Sequence, residues 1–272
     1  MTTTVPDFAQ LKAGMKSAWT SGDFGRIAAF TSEAAEQYVQ RLSIQPRSRV
    51  LDVACGTGNT AIPAARAGAS VTGLDIAPNL LAQARQRAAD EKLNATFEEG
   101  DAEDIRFPER SFDTVITMFG AMFAPRPERV ASELLRVCKP SGLIAMANWT
   151  PEGFVGKSFQ ITAKVLPPPP GVPPPTLWGD ENTVRQRFSS GVSSLSMNRR
   201  KLLFQYPFSP GKTVEFFRQY FGPTQVAFSR LDSAGQATLA ARLESLWSEH
   251  NTATDGTTCV EAEYLDVRAI RA

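Results

Sequence analysis

Five residues stand where chemistry could be done: Asp52, Gly56 and Gly58 in RVLDVACGTGNTA, Asp75 in VTGLDIAP, and Asp101 in EEGDAED. Glycines leave no side chain between backbone and ligand and allow positive φ, so the amides and the helix start that follow can approach a polar group closely. Gly56-x-Gly58-x-x-Ala61 satisfies the relaxed dinucleotide fingerprint. Alone, that pattern describes a tight strand-to-helix turn with no ligand just as well. Asp52 sharpens it, because it sits inside an apolar run where a strand covered on both faces takes another apolar residue. A carboxylate there needs partners, and a cationic or amine-bearing ligand beside the turn would supply one. Asp75 ends the next apolar run, where an acid can hydrogen-bond both ribose hydroxyls. Asp101 follows the third, where an acid or its neighbouring amide can meet an adenine edge.

These residues need a parallel sheet to bring them together. From Arg49 to Thr150 short β-rich runs alternate with helical patterns, the signature of an α/β doubly wound sheet. Strands are predicted at 49–54, 70–75, 95–99, 112–118 and 142–148, with helices at 59–67, 78–92 and 127–138, and KPSG at 139–142 reads as a plain turn. The 48 residues before the sheet read as a helical cap. LPPPPGVPPP, 166–175, cannot continue a helix or a central strand and is expected as surface loop or polyproline. With it, 151–222 is expected to form a linker and a cap or substrate region, with helices at 180–189 and 211–221 and a strand at 195–206. The remainder, 223–272, supplies a helix at 232–249 and a strand at 258–270.

A chain of 272 residues with 42% hydrophobic content can bury a full core. The formal charge of +1 gives no long-range field to gather nucleic acid or an anionic membrane. No uncharged apolar run reaches the roughly 18 residues that span a bilayer. Three cysteines, Cys55, Cys138 and Cys259, in no CxxC pairing suggest neither a disulfide framework nor a zinc site, and a reducing cytoplasm fits best.

VLDVACGTGNTA, VTGLDIAPNLLAQAR, FEEGDAEDIRFPERSFDTVITMF and ELLRVCKPSGLIAMANW, in that order, resemble the class I S-adenosylmethionine-dependent methyltransferases. The likeness is to the small-molecule branch that includes the ubiquinone and menaquinone C-methyltransferases; it covers about residues 45 to 150 and extends weakly upstream, where WTSGDFGRIA resembles the entry helix that such enzymes fold over the methionine end of the cofactor. It implies a Rossmann-like, seven-stranded sheet whose last strand, 258–270, inserts antiparallel. It implies that Asp52, Ala54 and the amides of Gly56 and Gly58 hold the amino-acid portion of S-adenosylmethionine, Asp75 the ribose, and Ile76 the adenine face. Asp101 with Ala102 would take the adenine edge, and Thr117, Met118 and Phe119 would approach the sulfonium. The rival, a dinucleotide dehydrogenase, would not normally lead its turn with an in-strand Asp.

Methyl transfer from a sulfonium is an in-line displacement in which alignment supplies much of the acceleration, so a general base is optional. MFGAMFAP after the fourth strand is not the (Asn/Asp)-Pro-Pro-(Tyr/Phe) of adenine and glutamine N-methyltransferases, and Cys138 follows Val137 rather than a proline. Magnesium of the catechol type needs several carboxylates where Thr117, Met118 and Asn148 stand, so no metal is expected. Met118, Phe119, Met122, Phe123, Trp149, Phe154 and Trp178 are left as candidates for a pocket that takes a small hydrophobic or aromatic acceptor and releases S-adenosylhomocysteine. Each could equally be core. Asp23 and Arg26 could clamp the cofactor carboxylate or line the entrance, and a surface helix turn is the plainer account of them. His250, the only histidine, is a weak candidate base, better explained by a helix C-terminus, and Tyr38, Tyr206 and Tyr220 are comparable. A quinone ring is the alternative acceptor, a non-catalytic binding protein the alternative class, and a homodimer is left open.

Overall fold

The computed structural model describes residues 6–272. Seven strands form one sheet in the order β3-β2-β1-β4-β5-β7-β6. They are β1 (Arg49–Val53), β2 (Ser70–Asp75), β3 (Ala95–Glu99), β4 (Phe112–Met118), β5 (Cys138–Trp149), β6 (Val192–Tyr206) and β7 (Thr258–Arg271). The first five run parallel, and β7 inserts antiparallel between β5 and β6. The sheet is therefore the expected one, with its expected antiparallel strand.

Helices cover it: α1 (Phe8–Ser21), α2 (Phe24–Ala28) and α3 (Ser32–Arg41) precede the sheet, and α4 (Ala61–Arg66), α5 (Pro78–Asp90) and α6 (Pro127–Val137) alternate with its strands. Beyond β5 come α7 (Phe154–Val165), α8 (Glu181–Arg187), α9 (Pro210–Tyr220), α10 (Gly222–Ser229) and α11 (Ser233–His250). Starts are set by local chemistry. Asp7, Asp180 and Asp232 accept backbone amides at the heads of α1, α8 and α11, and Pro78, Pro127 and Pro210 open α5, α6 and α9, where a missing N–H costs nothing. Among the described residues no helix is long and apolar enough to cross a membrane.

Three features depart from the sequence expectations. KPSG is not a plain turn: β5 begins at Cys138 and runs through it, with Ser141 left-handed (φ 62°) and a register shift against β4. A bulge accommodates the turn chemistry without ending the strand. α7 and α10 had no clear signal, since FVGKSFQITAKV carries β-branched residues and GPTQVAFS opens on Gly-Pro. Within 151–222, β6 belongs to the sheet, because Leu202, Phe204 and Tyr206 alternate inward onto the core while their neighbours face out.

Asp52 lies in the middle of β1, between Gly73 of β2 and Ile116 of β4, and is wholly buried. The Thr60 hydroxyl donates to its Oδ2 at 2.6 Å, while Oδ1 has no partner among the described residues. Burial pushes its carboxyl up to about 7, against the help of the Thr60 bond. The unfolded chain gives up this proton near pH 4 and the folded chain holds it to about 7, so stability falls as pH rises between those values. Asp52→Asn removes that loss. Its advantage over the parent in urea unfolding is expected to grow by about 2–3 kcal/mol from pH 5 to pH 8; a difference that stays constant with pH would contradict the assignment.

Candidate functional site

A cavity of about 580 Å³ opens at the carboxyl ends of β3, β2, β1 and β4. This is where an open α/β sheet binds ligands, beside the point at which its strand order reverses. On the β3 and β2 side the wall is polar, with Glu99, Asp101, Asp104 and Asp75 facing Lys12 and Lys16 of α1. On the β4 side it is apolar, with Met118, Phe119 and Phe123 opposite Trp19 and Phe24.

The turn after β1 is built by left-handed residues: Ala54 (φ 57°), Gly56 (φ 53°) and Gly58 (φ 83°). Gly56 and Gly58 differ in use. A Cβ on Gly56 would meet nothing within 4 Å, so this glycine leaves a cradle in the cavity wall. A Cβ on Gly58 would come within 3.3 Å of Ile62 and 3.4 Å of Ala84, so it lets the helices pack closely and does not reach the cavity. Nor are the two amides free as expected. Gly56 donates to Asp75 Oδ2 at 2.8 Å, and Gly58 donates to the Cys55 carbonyl at 2.9 Å.

Asp75 is the pivot of the polar side. Its Oδ1 also accepts from Ala77 at 2.9 Å, and burial raises its pKa while those backbone donors pull it back. Asp75, Ile76, Asp101, Ala102, Ala54, Met118, Phe119 and Phe123 all line the cavity as anticipated. Asp101 takes the Glu103 amide on Oδ1 at 2.8 Å and the Lys12 ammonium on Oδ2. Asp52 is not at the wall. Thr60 stands between, lining the cavity and donating its hydroxyl hydrogen bond to Asp52. Cys55 touches the cavity, but burial pushes its thiol well up, away from reactivity.

Several candidates lie elsewhere. The Thr117 hydroxyl accepts the Ala121 amide at 3.1 Å and sets the turn after β4, and Met122 is buried. Trp149 stacks on Phe119 with ring centroids 3.6 Å apart and 5° between planes, so it backs the wall without forming it. Phe154 packs against Trp247, and Trp178 is buried under the Arg187 guanidinium. Trp149 is also met by Phe204 of β6, Phe154 by Trp247 of α11 and Trp178 by Arg187 of α8; the sequence predicted α8 and α11 as helices but not what they would cover. Asp23 accepts from Gln83 and pairs with Arg26 at 3.7 Å, and Arg26 lies over the Tyr220 ring; Phe24 between them is the residue that reaches the cavity. Tyr38 and Tyr206 are buried, with phenols pushed upward by burial.

His250 belongs to a second hollow of about 430 Å³ that includes Phe154 and Lys157. Its Nδ1 lies 3.0 Å from the Leu246 carbonyl and its Nε2 3.2 Å from the Lys157 ammonium. A carbonyl only accepts and an ammonium only donates, so Nδ1 carries the proton and the Nε2 lone pair is already taken. His250 therefore lies in the second hollow and not among the residues that line the first cavity.

The residues that sequence reasoning missed are Lys12, Met15 and Lys16 of α1 and Asn59 and Thr60 after β1; Trp19 of α1 and Phe24 of α2, which also line the cavity, fall in the WTSGDFGRIA segment read as an entry helix but were not singled out. Their signal is the spacing 12, 15, 16, 19, which puts four side chains on one face of a helix.

Residues 50–142 match a methyltransferase domain family. The uncharacterized protein Rv1403c of Mycobacterium tuberculosis (strain ATCC 25618 / H37Rv) is 38% identical over 236 residues, 85% of this chain and 86% of that one. A demethylmenaquinone methyltransferase of Renibacterium salmoninarum is 36% identical over 116 residues, 43% of this chain and 47% of that one. Among solved structures, the YcgJ protein from Bacillus subtilis superposes with a TM-score of 0.60 at 18% identity, over 88% of this chain and 98% of that one, and shares the fold. With the glycine turn, the acids after β2 and β3 and the antiparallel β7 all in place, the chain belongs to the class I S-adenosylmethionine-dependent methyltransferases.

Proposed function

We propose that the cavity holds S-adenosylmethionine with its adenosine toward β2 and β3 and its methyl toward β4, and that the acceptor is a small hydrophobic or aromatic molecule. The wall itself carries this reading: it changes from carboxylates to aromatic rings along the strand order β3-β2-β1-β4. The residues fit such a guest. Its volume is ordinary for a small-molecule site, Gly56 leaves a cradle where a side chain would intrude, and Asp75 and Asp101 offer acceptors at the places a ribose and an adenine amine require. Thr60 lines the cavity with its hydrogen committed to Asp52, so its oxygen is left to accept from an ammonium, with the buried carboxyl behind it.

Bound there, the cofactor supplies an electrophilic methyl on a sulfonium. The protein's share is placement. Trp19, Phe24 and Phe123 meet at centroid distances of 5.7 and 5.2 Å from Trp19, and with Met118 and Phe119 they offer an apolar surface that excludes water from that end. Phe119 is left-handed (φ 61°), a conformation uncommon for a bulky residue, and the Trp149 stack holds it there. No general base is assigned to the cavity.

A quinone ring is the second reading, favoured by the likeness to the demethylmenaquinone methyltransferase. Three free cysteines are the ground for placing the protein in the cytoplasm.

Three measurements test these assignments. Asp75→Ala, checked for folding by circular dichroism, is expected to weaken S-adenosylhomocysteine binding by about 2–3 kcal/mol in calorimetry, and unchanged affinity would remove the ribose role. Incubation of methyl-labelled cofactor with phenols, quinones, fatty acids, thiols and amines is expected to label an apolar or aromatic acceptor, with Trp19→Ala and Phe123→Ala raising its KM about tenfold or more. Labelling confined to small hydrophilic acceptors would overturn the acceptor class. His250→Ala is expected to leave both cofactor affinity and transfer rate unchanged, and a large loss of rate at unchanged affinity would return His250 to the mechanism.

A further inference from the structure

α1 lies across the cavity from the β3 side, where Lys12 meets Asp101, to the β4 side, where Trp19 meets Phe123. The distance along the helix is seven residues, about 10 Å. No residue of α1 is buried, so hydrophobic burial does not fix the helix as a whole.

Its two ends are held by different physics. At the C-terminal end, Asn79 donates to the carbonyls of Thr20 and Gly22, at 3.3 and 3.1 Å. Gly22 packs so tightly that a Cβ would lie 2.5 Å from the Tyr220 carbonyl oxygen, and Trp19 sits among Phe24, Phe123 and Phe221. The N-terminal half is held by charge. Lys12 pairs with Asp101 and with the buried Glu103, Lys16 pairs with Glu99, and the Arg126 guanidinium lies over the Phe8 ring. Two of those acids, Glu99 and Asp101, belong to the cavity wall.

A helix folded over the cofactor is what the likeness upstream implies; we propose that in this chain α1, pivoting near Gly22, is latched by Lys12 and Lys16, and that these ion pairs must part for the ligand to pass. The proposal rests on the reading of the cavity as the S-adenosylmethionine site. Lys16 and Glu99 are each about half exposed (45% and 50%), so salt screens the outer pair directly. The Lys12–Asp101 pair is less exposed but still reaches solvent, at 24% and 33%, whereas the second partner of Lys12, Glu103, is buried and is screened least. The exposed pairs, Lys16–Glu99 and Lys12–Asp101, shift an equilibrium only a few-fold, and Glu103 keeps Arg126 when Lys12 leaves it, which suits a latch that opens often.

The signature is an inverted salt effect. S-adenosylhomocysteine has an ammonium and a carboxylate that cancel, so long-range steering contributes little to its association. Salt then acts chiefly on the latch. In stopped-flow tryptophan fluorescence, with Trp19 on the lid, its association rate is expected to rise about threefold or more between roughly 20 mM and 500 mM sodium chloride. The double variant Lys12→Met, Lys16→Met is expected to bind fast at low salt and to show no further rise, and Lys12→Arg, Lys16→Arg to restore the rise. Glu103 keeps its Arg126 pair in both variants, which guards the fold. Association that is flat or slower at high salt in the parent, or that rises equally in the methionine variant, overturns the latch while calorimetric binding leaves the cavity reading standing. Absence of S-adenosylhomocysteine binding in calorimetry removes that reading, and the latch with it.

Discussion

Asp75 accepts two backbone amides, from Gly56 across the sheet and from Ala77 on its own strand's exit. Through those two bonds one carboxylate fixes the turn after β1 against the turn after β2, and the cavity floor lies between them. The acid is 8% exposed, so water gives it little support and the amides bear most of the task of stabilising its charge. A ligand that approaches it meets a carboxylate already oriented, with lone pairs still unspent. Gly56 matters on both counts, since its amide ties the turn to Asp75 and its missing side chain opens the wall.

The sheet half of the site was legible because parallel strands buried on both faces leave a strong mark: apolar runs, glycine turns and acids at the strand ends. Asp75 and Asp101 could be placed from those runs alone. Asp52 was legible as an anomaly but not in its relation to the ligand, since Thr60, eight residues later, intervenes only once the turn is folded. Aromatics were the hardest to sort. Phe119 and Phe123 reach the cavity, while Trp149, Phe154 and Trp178, indistinguishable from them by composition, are buried against Phe204 of β6, Trp247 of α11 and Arg187 of α8. Strand ends reveal where a ring starts, but only the packing of later elements decides whether it stays exposed. The lid face of α1 had a readable spacing, yet its role depends on the distant acids Glu99 and Asp101.

The molecule divides its work between stiff and soft parts. The floor is made of backbone bonds and buried side chains, with Trp149 pressed flat on Phe119 to hold an uncommon backbone angle. The roof is a helix with no buried residue. Alignment of reacting atoms demands the first, and exchange of ligand the second.

β6 has a consequence for how molecules of this protein meet one another. It is the outermost strand, fifteen residues long, and one side of its backbone has no neighbour in the sheet. A second copy adding edge to edge would find Arg199, Arg200 and Lys201 at its centre, each drawn back onto the sheet by Glu263, Asp266 or Glu261. Antiparallel pairing through that centre would set like charges opposite each other and pull them from those partners. The same cations that fasten β6 to β7 therefore add an electrostatic cost to any growth of the sheet through that centre.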